Sequence, residues 1–505
     1  MRKILPAFLF FVVILLFACG GGGESNSPNS QTNNYQLSIA MERIDQAGLD
    51  PIQVTVTLTR NAAPVSGATL ALDVPKGTVS SVSDNANGTY QFTITPADTG
   101  VYPVTVSYAT QSVTRQAVVF DDVGAGVGQP MSVPGDYVNT AGYEDGVTIT
   151  PDGQYLFVQY GPVYFSGIIY IQTICGDANY SLFNIIDCNG KDNSDWVFKT
   201  IGPYGGATRP DFPAARINNG VISHLDGIVV PGVANGLFVP PTVFYGFKRQ
   251  ADGSFAEPFL VAFNDQGRAV QSPYGLSFQM LSDTTANFTV SWDDYNNHLG
   301  DDGADVYAGQ MTLGQNNSLG DVTYSGDFID QTSPAITPMK FDVTSGVQGN
   351  SHLYVDSSNT VQSIWVDDEK TTHDLTVYTR TSGTFPNGTW TAVTLPAVIN
   401  TAGEESQPFF TGSRLYLRRG DAIVYHEYLG SGFNDFAQAG SWGNEVVVMQ
   451  SNISTTTGET VAVGEPTIAN YNGKTYLYFV YGINRATGLN NLIDINMDAG
   501  FVELF

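Results

Sequence analysis

Residues 143–160 read YEDGVTITPDGQYLFVQY: a short alternating strand, a Pro-Asp-Gly turn and a second strand rich in aromatic residues. This order predicts a β-hairpin with acidic residues where its first strand begins. Similar hairpins recur along the chain, and the last is GEPTIANYNGKTYLYFVYG at 464–482. A hairpin that recurs is typical of repeat folds, and it guides the interpretation of most of the chain.

The composition is that of an acidic all-β protein. The chain has 505 residues, with 54 Gly, 25 Pro and a formal net charge of −27. Many turn residues beside abundant Tyr, Phe, Thr and Val predict strands, and the length predicts more than one folded unit. The negative charge disfavours binding to nucleic acid and is compatible with calcium or neutral sugars. Solubility alone would also account for it.

The N-terminus has the features of an export signal. Residues 1–18 begin with MRK and continue as an apolar run that is short for a membrane span. The sequence LFACG at 16–20 resembles the lipobox of bacterial lipoproteins. That resemblance implies acylation of Cys19, a membrane-anchored extracytoplasmic protein and, with Gly20 next, sorting to the outer membrane. The alternative is an ordinary cleaved signal with an incidental cysteine. Residues 19–34 lack large apolar side chains and are predicted to be a flexible tether.

Residues 35–120 contain six or seven short alternating strands separated by turn clusters, which predicts a β-sandwich. The segments VTVTLTRNAAPVSGATLALDVPKG at 54–77 and NGTYQFTITPADTGVYPVTVSY at 87–108 resemble bacterial immunoglobulin-like domains of the invasin and adhesin type. The resemblance implies a fold and a spacer or adhesive role, without catalytic activity.

Residues 121–505 are predicted to form a β-propeller. A polar or small residue followed by Pro opens a strand at intervals of about sixty residues, and Asp145-Gly146 fills this role in the first unit. The fourth unit begins at Asn350 in preference to Thr332. This spacing predicts six blades of four strands, and five blades with larger insertions are the alternative. The other units begin at Arg209-Pro210, Ser272-Pro273, Gln407-Pro408 and Glu465-Pro466.

The hairpins of this region also resemble known propeller repeats. The first and last are similar to TolB-like repeats, and the fourth is similar to sialidase-type repeats. Both resemblances imply a propeller and neither implies a substrate. Cys175 and Cys188, in CGDANYSLFNIIDC, are predicted to form a disulfide in an exported protein. Zinc ligation is the competing interpretation, but no further ligand has suitable spacing.

Propeller topology predicts where a site would lie. Strand one begins on the face where strand two ends, so these positions should surround one opening. The predicted binding rim consists of Glu144, Arg209, Gln271, Trp292, Asp294, Trp365, Asp368, Gln407 and Arg418.

Three uses of this rim are considered. The favoured one is recognition of an envelope protein or a glycan. The second is glycoside hydrolysis by two carboxyl groups about 5–10 Å apart. The third is calcium binding by DDYNNHLGDDGAD at 293–305, with ligands from Asp294, Asp301, Asp302 and Asp305. The candidates for the hydrolytic pair are Asp145, Asp293, Asp367, Glu405 and Glu465.

Overall fold

A computed structural model of the chain describes residues 34–44, 49–120, 122–135, 138–139, 143–161, 228–230, 237–239, 243–265, 268–269, 273–282, 284–292, 304–312, 322–326, 328, 339–341, 348–368, 373–453, 460–484 and 495–505. Within these ranges the chain is all-β, as predicted, apart from two 3-10 segments, Phe433–Ala437 and Ala439–Ser441. No helix of the described residues has the length and apolarity needed to cross a bilayer.

The first unit is an immunoglobulin-like sandwich. One sheet has the order β1-β2-β7-β5, and β9-β8-β4 belong to the other. Alternate residues of β2 (Ile52, Val54 and Val56) are buried in the core between the sheets, as the alternating sequence predicts. The nine strands are β1 Tyr35–Arg43, β2 Ile52–Arg60, β3 Ala63–Pro64, β4 Ala71–Asp73, β5 Thr78–Val79, β6 Ser83–Asp84, β7 Thr89–Thr95, β8 Gly100–Tyr108 and β9 Gln111–Val119.

Two short strands and the first two sheets of a second unit follow. The short strands are β10 Asp122–Val123 and β11 Met131–Ser132. The first sheet contains β12 Tyr143–Ile149, β13 Tyr155–Gly161, β16 Val243–Arg249, β17 Phe255–Asp265 and β18 Arg268–Ala269, and the hairpin β14 Ile228–Val230 with β15 Leu237–Val239 forms a small sheet of its own. The second sheet contains β19 Tyr274–Ser282, β20 Thr285–Trp292, β21 Asp305–Thr312 and β23 Met339–Phe341, while β22 Val322–Gly326 pairs in parallel with β17.

Three more sheets complete the described part of this unit. The third contains β24 Gln348–Val355, β25 Val361–Asp368, β26 Asp374–Ser382 and β27 Thr389–Thr394. The fourth contains β28 Glu405–Phe410, β29 Arg414–Arg419, β30 Ala422–Tyr428 and β31 Trp442–Gln450. The fifth contains β32 Asn452–Ile453, β33 Thr460–Tyr471, β34 Lys474–Asn484 and β35 Ile495–Leu504.

The five sheets form a propeller-like ring. Their innermost strands β12, β19, β24, β28 and β33 contact one another in this order, and β33 returns to β12. The described residues therefore give five sheets, the lower of the two numbers that the sequence left open. The predicted unit at Arg209-Pro210 would contain β16 and β17, but these strands pair next to β13 as the outer strands of the first sheet.

Each innermost strand carries a β-bulge at the same place. The residue at the bulge has a positive φ, which residues other than Gly and Asn rarely adopt. The unit starts predicted at Asn350, Gln407 and Glu465 coincide with bulges. The predicted start Asp145-Gly146 also contains its bulge residue, Gly146, whereas Ser272-Pro273 lies just before the bulge at Gly275. The φ angles are 56° at Gly146, 59° at Gly275, 40° at Asn350, 55° at Gln407 and 55° at Glu465.

The sandwich joins the ring through a continuous sheet. The strand β11 pairs with both β9 and β35, so the sandwich sheet and the fifth ring sheet form one eight-stranded sheet. The strand β10 pairs with β31 of the fourth sheet, and the amide of Phe255 in the first sheet donates to Pro134 O at 2.8 Å. Residues 122–135 therefore cross the outer edges of three neighbouring sheets. The domain boundary predicted at residue 120 falls between β9 and β10.

Candidate functional site

The five bulges surround one small cavity, which we call the rim cavity. Its volume is ≈ 40 Å³, enough for about two or three water molecules. Three consecutive residues from each innermost strand line it: residues 146–148, 275–277, 350–352, 407–409 and 465–467.

Antiparallel pairing brings the ends of the second strands to the same face as the beginnings of the first strands. Asp367 lies opposite Gly349, and Arg418 lies opposite Ser406. The structure thus gathers residues from distant parts of the sequence at one end of the ring. Asp145, Asp367, Asp368, Gln407, Arg418 and Glu465 all lie at this end.

Asp145 and Glu465 form an acid pair between the first and fifth sheets. Their side chains are hydrogen-bonded to each other, and the amide of Val147 donates to Oε2 of Glu465 at 3.3 Å. Burial raises the pKa of Asp145. Burial, followed by the charge of Asp145, raises the pKa of Glu465 well above its usual value. Two carboxyl groups in contact retain a proton because two adjacent negative charges repel each other. The pair as a whole therefore holds one proton above the usual pKa of a carboxyl group.

Gln407 connects the fourth sheet to this pair. Its Oε1 accepts the amide of Glu465 at 2.7 Å. A Cβ placed on Gly464 would lie 2.7 Å from that oxygen and 3.4 Å from Cδ of Arg418. Because Gly464 has no side chain, the side-chain amide of Gln407 fits next to it. The partly exposed side chain of Arg418 lies beside the same glycine.

The carboxylate of Glu405 is buried and hydrogen-bonded to neighbouring protein groups. It is fully buried, accepts the amide of Thr401 at 2.8 Å, and accepts Nε of Arg419 at 3.1 Å. Its Oε1 also accepts the Thr401 hydroxyl at 2.5 Å. These donors hold the loop before β28 against the turn after β29. The carboxylate is thus engaged by donors inside the protein, and Glu405 is not among the residues that line the rim cavity, so its catalytic role stays a prediction.

Other predicted carboxylates are also engaged or buried. Asp367 is 1% exposed, and its Oδ1 lies 3.6 Å from Nδ1 of His373. Glu144, predicted on the binding rim, is fully buried, and its charge adds to the effect of burial in raising the pKa of Tyr481. Asp305, predicted as a calcium ligand, lies 2.5 Å from the ammonium group of Lys340, which would compete with a bound cation.

The two tryptophans predicted on the rim are buried between sheets. Trp365 packs against Phe410 and Phe436, with ring centroids 5.0 Å away in each case. Trp292 is 5% exposed and lies 5.7 Å from the ring of Phe328. Neither indole can stack on a ligand at the rim. Both side chains pack in the apolar cores beside the ring sheets.

A second cavity of ≈ 110 Å³ adjoins the first toward the opposite face. The two share Thr148, Ser277, His352 and Phe409. Between the two cavities, the imidazole of His352 lies over the Phe409 ring, with ring centroids 3.9 Å apart. Its Nε2 lies 3.0 Å from Phe410 O. Burial lowers the pKa of His352 to about 4, so the ring is neutral at physiological pH.

Several predicted residues lie outside the described ranges. Within those ranges, no three His, Cys, Asp or Glu side chains gather as a metal site. Asn350 lines the rim cavity, but the sequence indicated it only as the start of a unit, and its positive φ has no signal in the sequence beyond Asn itself. The residues outside the ranges are Cys19, Cys175, Cys188, Arg209, Gln271, Asp293, Asp294, Asp301 and Asp302.

No family model matches the chain, and no curated protein matches it. Among solved structures, it is similar to Trypanosoma rangeli sialidase in complex with 2,3-difluoro-KDN, at 10% identity and a TM-score of 0.31, covering 92% of this chain and 53% of that one. The NanB sialidase of Streptococcus pneumoniae gives 9% identity and a TM-score of 0.29, with 94% and 69% covered. Invasin, a bacterial integrin-binding protein, gives 14% identity and a TM-score of 0.14, with 55% and 58% covered. The chain thus spans about half the length of the T. rangeli sialidase, and these values assign it neither family nor activity.

Proposed function

We propose that the ring binds a glycan across the mouth of the rim cavity, and that a lipid on Cys19 anchors the protein at the cell envelope. The observation that carries the binding proposal is the convergence of three polar bulge side chains, Asn350, Gln407 and Glu465, on one opening. These side chains come from three neighbouring sheets, the third, fourth and fifth, and contacts between the innermost strands of these sheets bring them together.

The chemistry of the opening suits hydroxyl groups. Amide and carboxyl groups can each donate or accept hydrogen bonds, and sugar hydroxyls do both. Arg418 adds a fork of donors, and Asp368 adds an acceptor. The cavity itself is too small for a sugar ring, so the ligand would lie over its mouth with single groups directed inward.

Glycoside hydrolysis is the second candidate, and the raised pKa of Glu465 favours it, because a general acid must hold its proton near neutral pH. The geometry of the described carboxylates favours binding instead. Asp145 and Glu465 contact each other, whereas a hydrolytic pair is separated by about 5–10 Å. Glu405 is buried and forms an ion pair with Arg419, which disfavours it as the second carboxyl group of a hydrolytic pair.

The binding experiment uses the purified chain on a glycan panel, with envelope proteins as a second panel. Asn350→Gly removes one rim amide but keeps a residue that tolerates positive φ. The matched control is Asn472→Gly, whose φ is 51° and which lies in the turn at the other end of β33. We expect Asn350→Gly to weaken glycan binding about tenfold through lost hydrogen bonds and Asn472→Gly to leave it unchanged.

Three outcomes separate the alternatives. Saturable binding without turnover supports recognition. Turnover that Glu465→Gln abolishes supports hydrolysis. Binding to an envelope protein and to no glycan would show that the ligand of the rim is a protein. The anchor is tested separately by labelling cells with radioactive palmitate, because Cys19→Ser should lose the label and release the protein from the membrane fraction.

A further inference from the structure

The acid pair occupies the junction at which the ring closes. Asp145 belongs to the first sheet and Glu465 to the fifth, the first and last in sequence, so no hairpin connects them. The amide of Val147 donates to Oε2 of Glu465 at 3.3 Å, and the amide of Ile149 donates to Oγ1 of Thr467 at 3.3 Å. At this end of the strands, side chains of β33 thus accept hydrogen bonds from backbone amides of β12.

A direct hydrogen bond between two carboxyl groups exists only while one of them carries a proton. If both ionise, two negative charges face each other in a partly buried site, where water screens them weakly. We propose that the proton shared by Asp145 and Glu465 latches the first sheet of the ring to the fifth, so that the junction is closed at mildly acidic pH and opens more often as pH rises. This device concerns the ring itself and does not depend on the proposed ligand.

Other charged or titratable groups lie on the strands around the pair. Arg418 on β29 approaches Gly464, and His352 on β24 lines the same cavity. Glu144 precedes Asp145 and interacts with Tyr481 on β34, which is also hydrogen-bonded to Asp498 on β35. From mildly acidic to mildly basic pH the imidazole of His352 stays neutral, because burial lowers its pKa to about 4, and the phenol of Tyr481 keeps its proton, because burial raises its pKa. The carboxyl groups are the remaining source of pH dependence.

The sign follows from the raised pKa of both carboxyl groups. Between their unfolded and folded pKa values, the closed junction binds more protons than the open one. Closure is therefore fully favoured below the unfolded pKa of about 4 and is lost as pH rises through the folded pKa. A single proton changes the opening equilibrium about tenfold per pH unit across this window.

The experiment measures hydrogen exchange of the Val147 amide in the full chain without ligand, with rates corrected for the intrinsic effect of pH. In Glu465→Gln, the side-chain carbonyl can still accept a hydrogen bond from the Val147 amide. Its NH2 group can donate a hydrogen bond to Asp145 at any pH, because it needs no titratable proton. Asp145→Asn is the second variant, in which the NH2 group of the new side chain can donate a hydrogen bond to Glu465. Asp356→Asn, in a turn of the third sheet, is the control.

In the wild type and in Asp356→Asn, we expect protection of Val147 to fall about tenfold per pH unit above the unfolded pKa. In both amide variants the protection should be independent of pH and should exceed that of the wild type at pH 8. A flat wild-type profile would overturn the latch. A slope that persists in both amide variants would also overturn it, since the proton would then belong to another group such as Glu144. Because no ligand is present, failure of glycan binding leaves this result unaffected.

Discussion

Arg249 in the first sheet of the ring donates a hydrogen bond to the hydroxyl of Tyr478 in the fifth. Its guanidinium also lies 4.4 Å from the ring centroid of Tyr471 and 4.5 Å from that of Phe255. Nearby, the amide of Asn470 donates to Pro151 O at 2.9 Å. The acid pair and Arg249 therefore join the same two sheets at opposite ends of their strands. Closure of the ring thus rests on specific polar contacts in addition to apolar packing.

The bulge glycines make a prediction about contact between neighbouring sheets. A Cβ on Gly275, whose φ is 59°, would lie 2.6 Å from the backbone nitrogen of Asn350 in the next sheet. Gly275→Ala should lower the free energy of unfolding by about 3 kcal/mol, since backbone strain adds to the clash.

The control for that variant is Gly253→Ala. Its φ is 85°, but no atom lies within 4 Å of the added carbon, so it should cost only about 1 kcal/mol. Urea unfolding of the two variants checks the difference. Equal losses would mean that the second and third sheets do not approach each other at this bulge.

His352 predicts a loss of stability in acid. Its buried imidazole has a pKa of about 4, whereas the unfolded value is about 6.5. The unfolded chain binds the extra proton between these values, so the free energy of unfolding falls as pH decreases through this window, by up to about 3 kcal/mol.

His352→Phe removes the titrating group while keeping an aromatic ring over Phe409. The variant should lose some stability at pH 7, because Phe410 O loses its partner, and it should not lose more toward pH 4.5. The difference between variant and wild type, measured by urea unfolding at each pH, isolates this residue from the acid pair. A constant difference across the range would show that the imidazole titrates normally.

We expect substitution of Glu405 to lower stability, whereas the sequence suggested a catalytic role for this residue. Glu405→Gln removes the buried charge opposite Arg419 and should lower the free energy of unfolding by about 3 kcal/mol. The matched control is Glu427→Gln, whose exposed pair with Arg414 spans 3.3 Å and should contribute less than about 1 kcal/mol. Thermal unfolding compares the two. Similar midpoints for both variants would show that the buried pair has no special weight.

Much of the fold follows from local sequence. Alternation and turn residues predict the strands, and the antiparallel order of strands one and two places Asp367 and Arg418 on the rim face. The number of sheets is harder to predict, because strand spacing does not show which strand pairs with which. Here β16 pairs with β13 across a connection of more than eighty residues, and the spacing of about sixty residues then suggests an additional unit.

The environments of the site residues are beyond what spacing can predict. Glu405 and Glu465 both open a hairpin, but one residue lies before its bulge and the other at the bulge. That offset of two residues directs Glu405 toward Arg419 and Glu465 toward Asp145. Likewise, Trp365 looks like a rim aromatic in sequence but is buried, because it is covered by Phe410 of the next sheet and by Phe436 of the 3-10 segment between β30 and β31.

The rim cavity requires closure of the ring between the first and fifth sheets, because only closure brings Asp145 to the opening that Gln407 and Glu465 line. A double-mutant cycle on Arg249→Met and Tyr478→Phe, followed by urea unfolding, tests this contact directly. We predict a coupling free energy of about 1 kcal/mol or more between the two residues. A coupling of zero within error would show that the two sheets do not meet, which would contradict the ring and the site built on it.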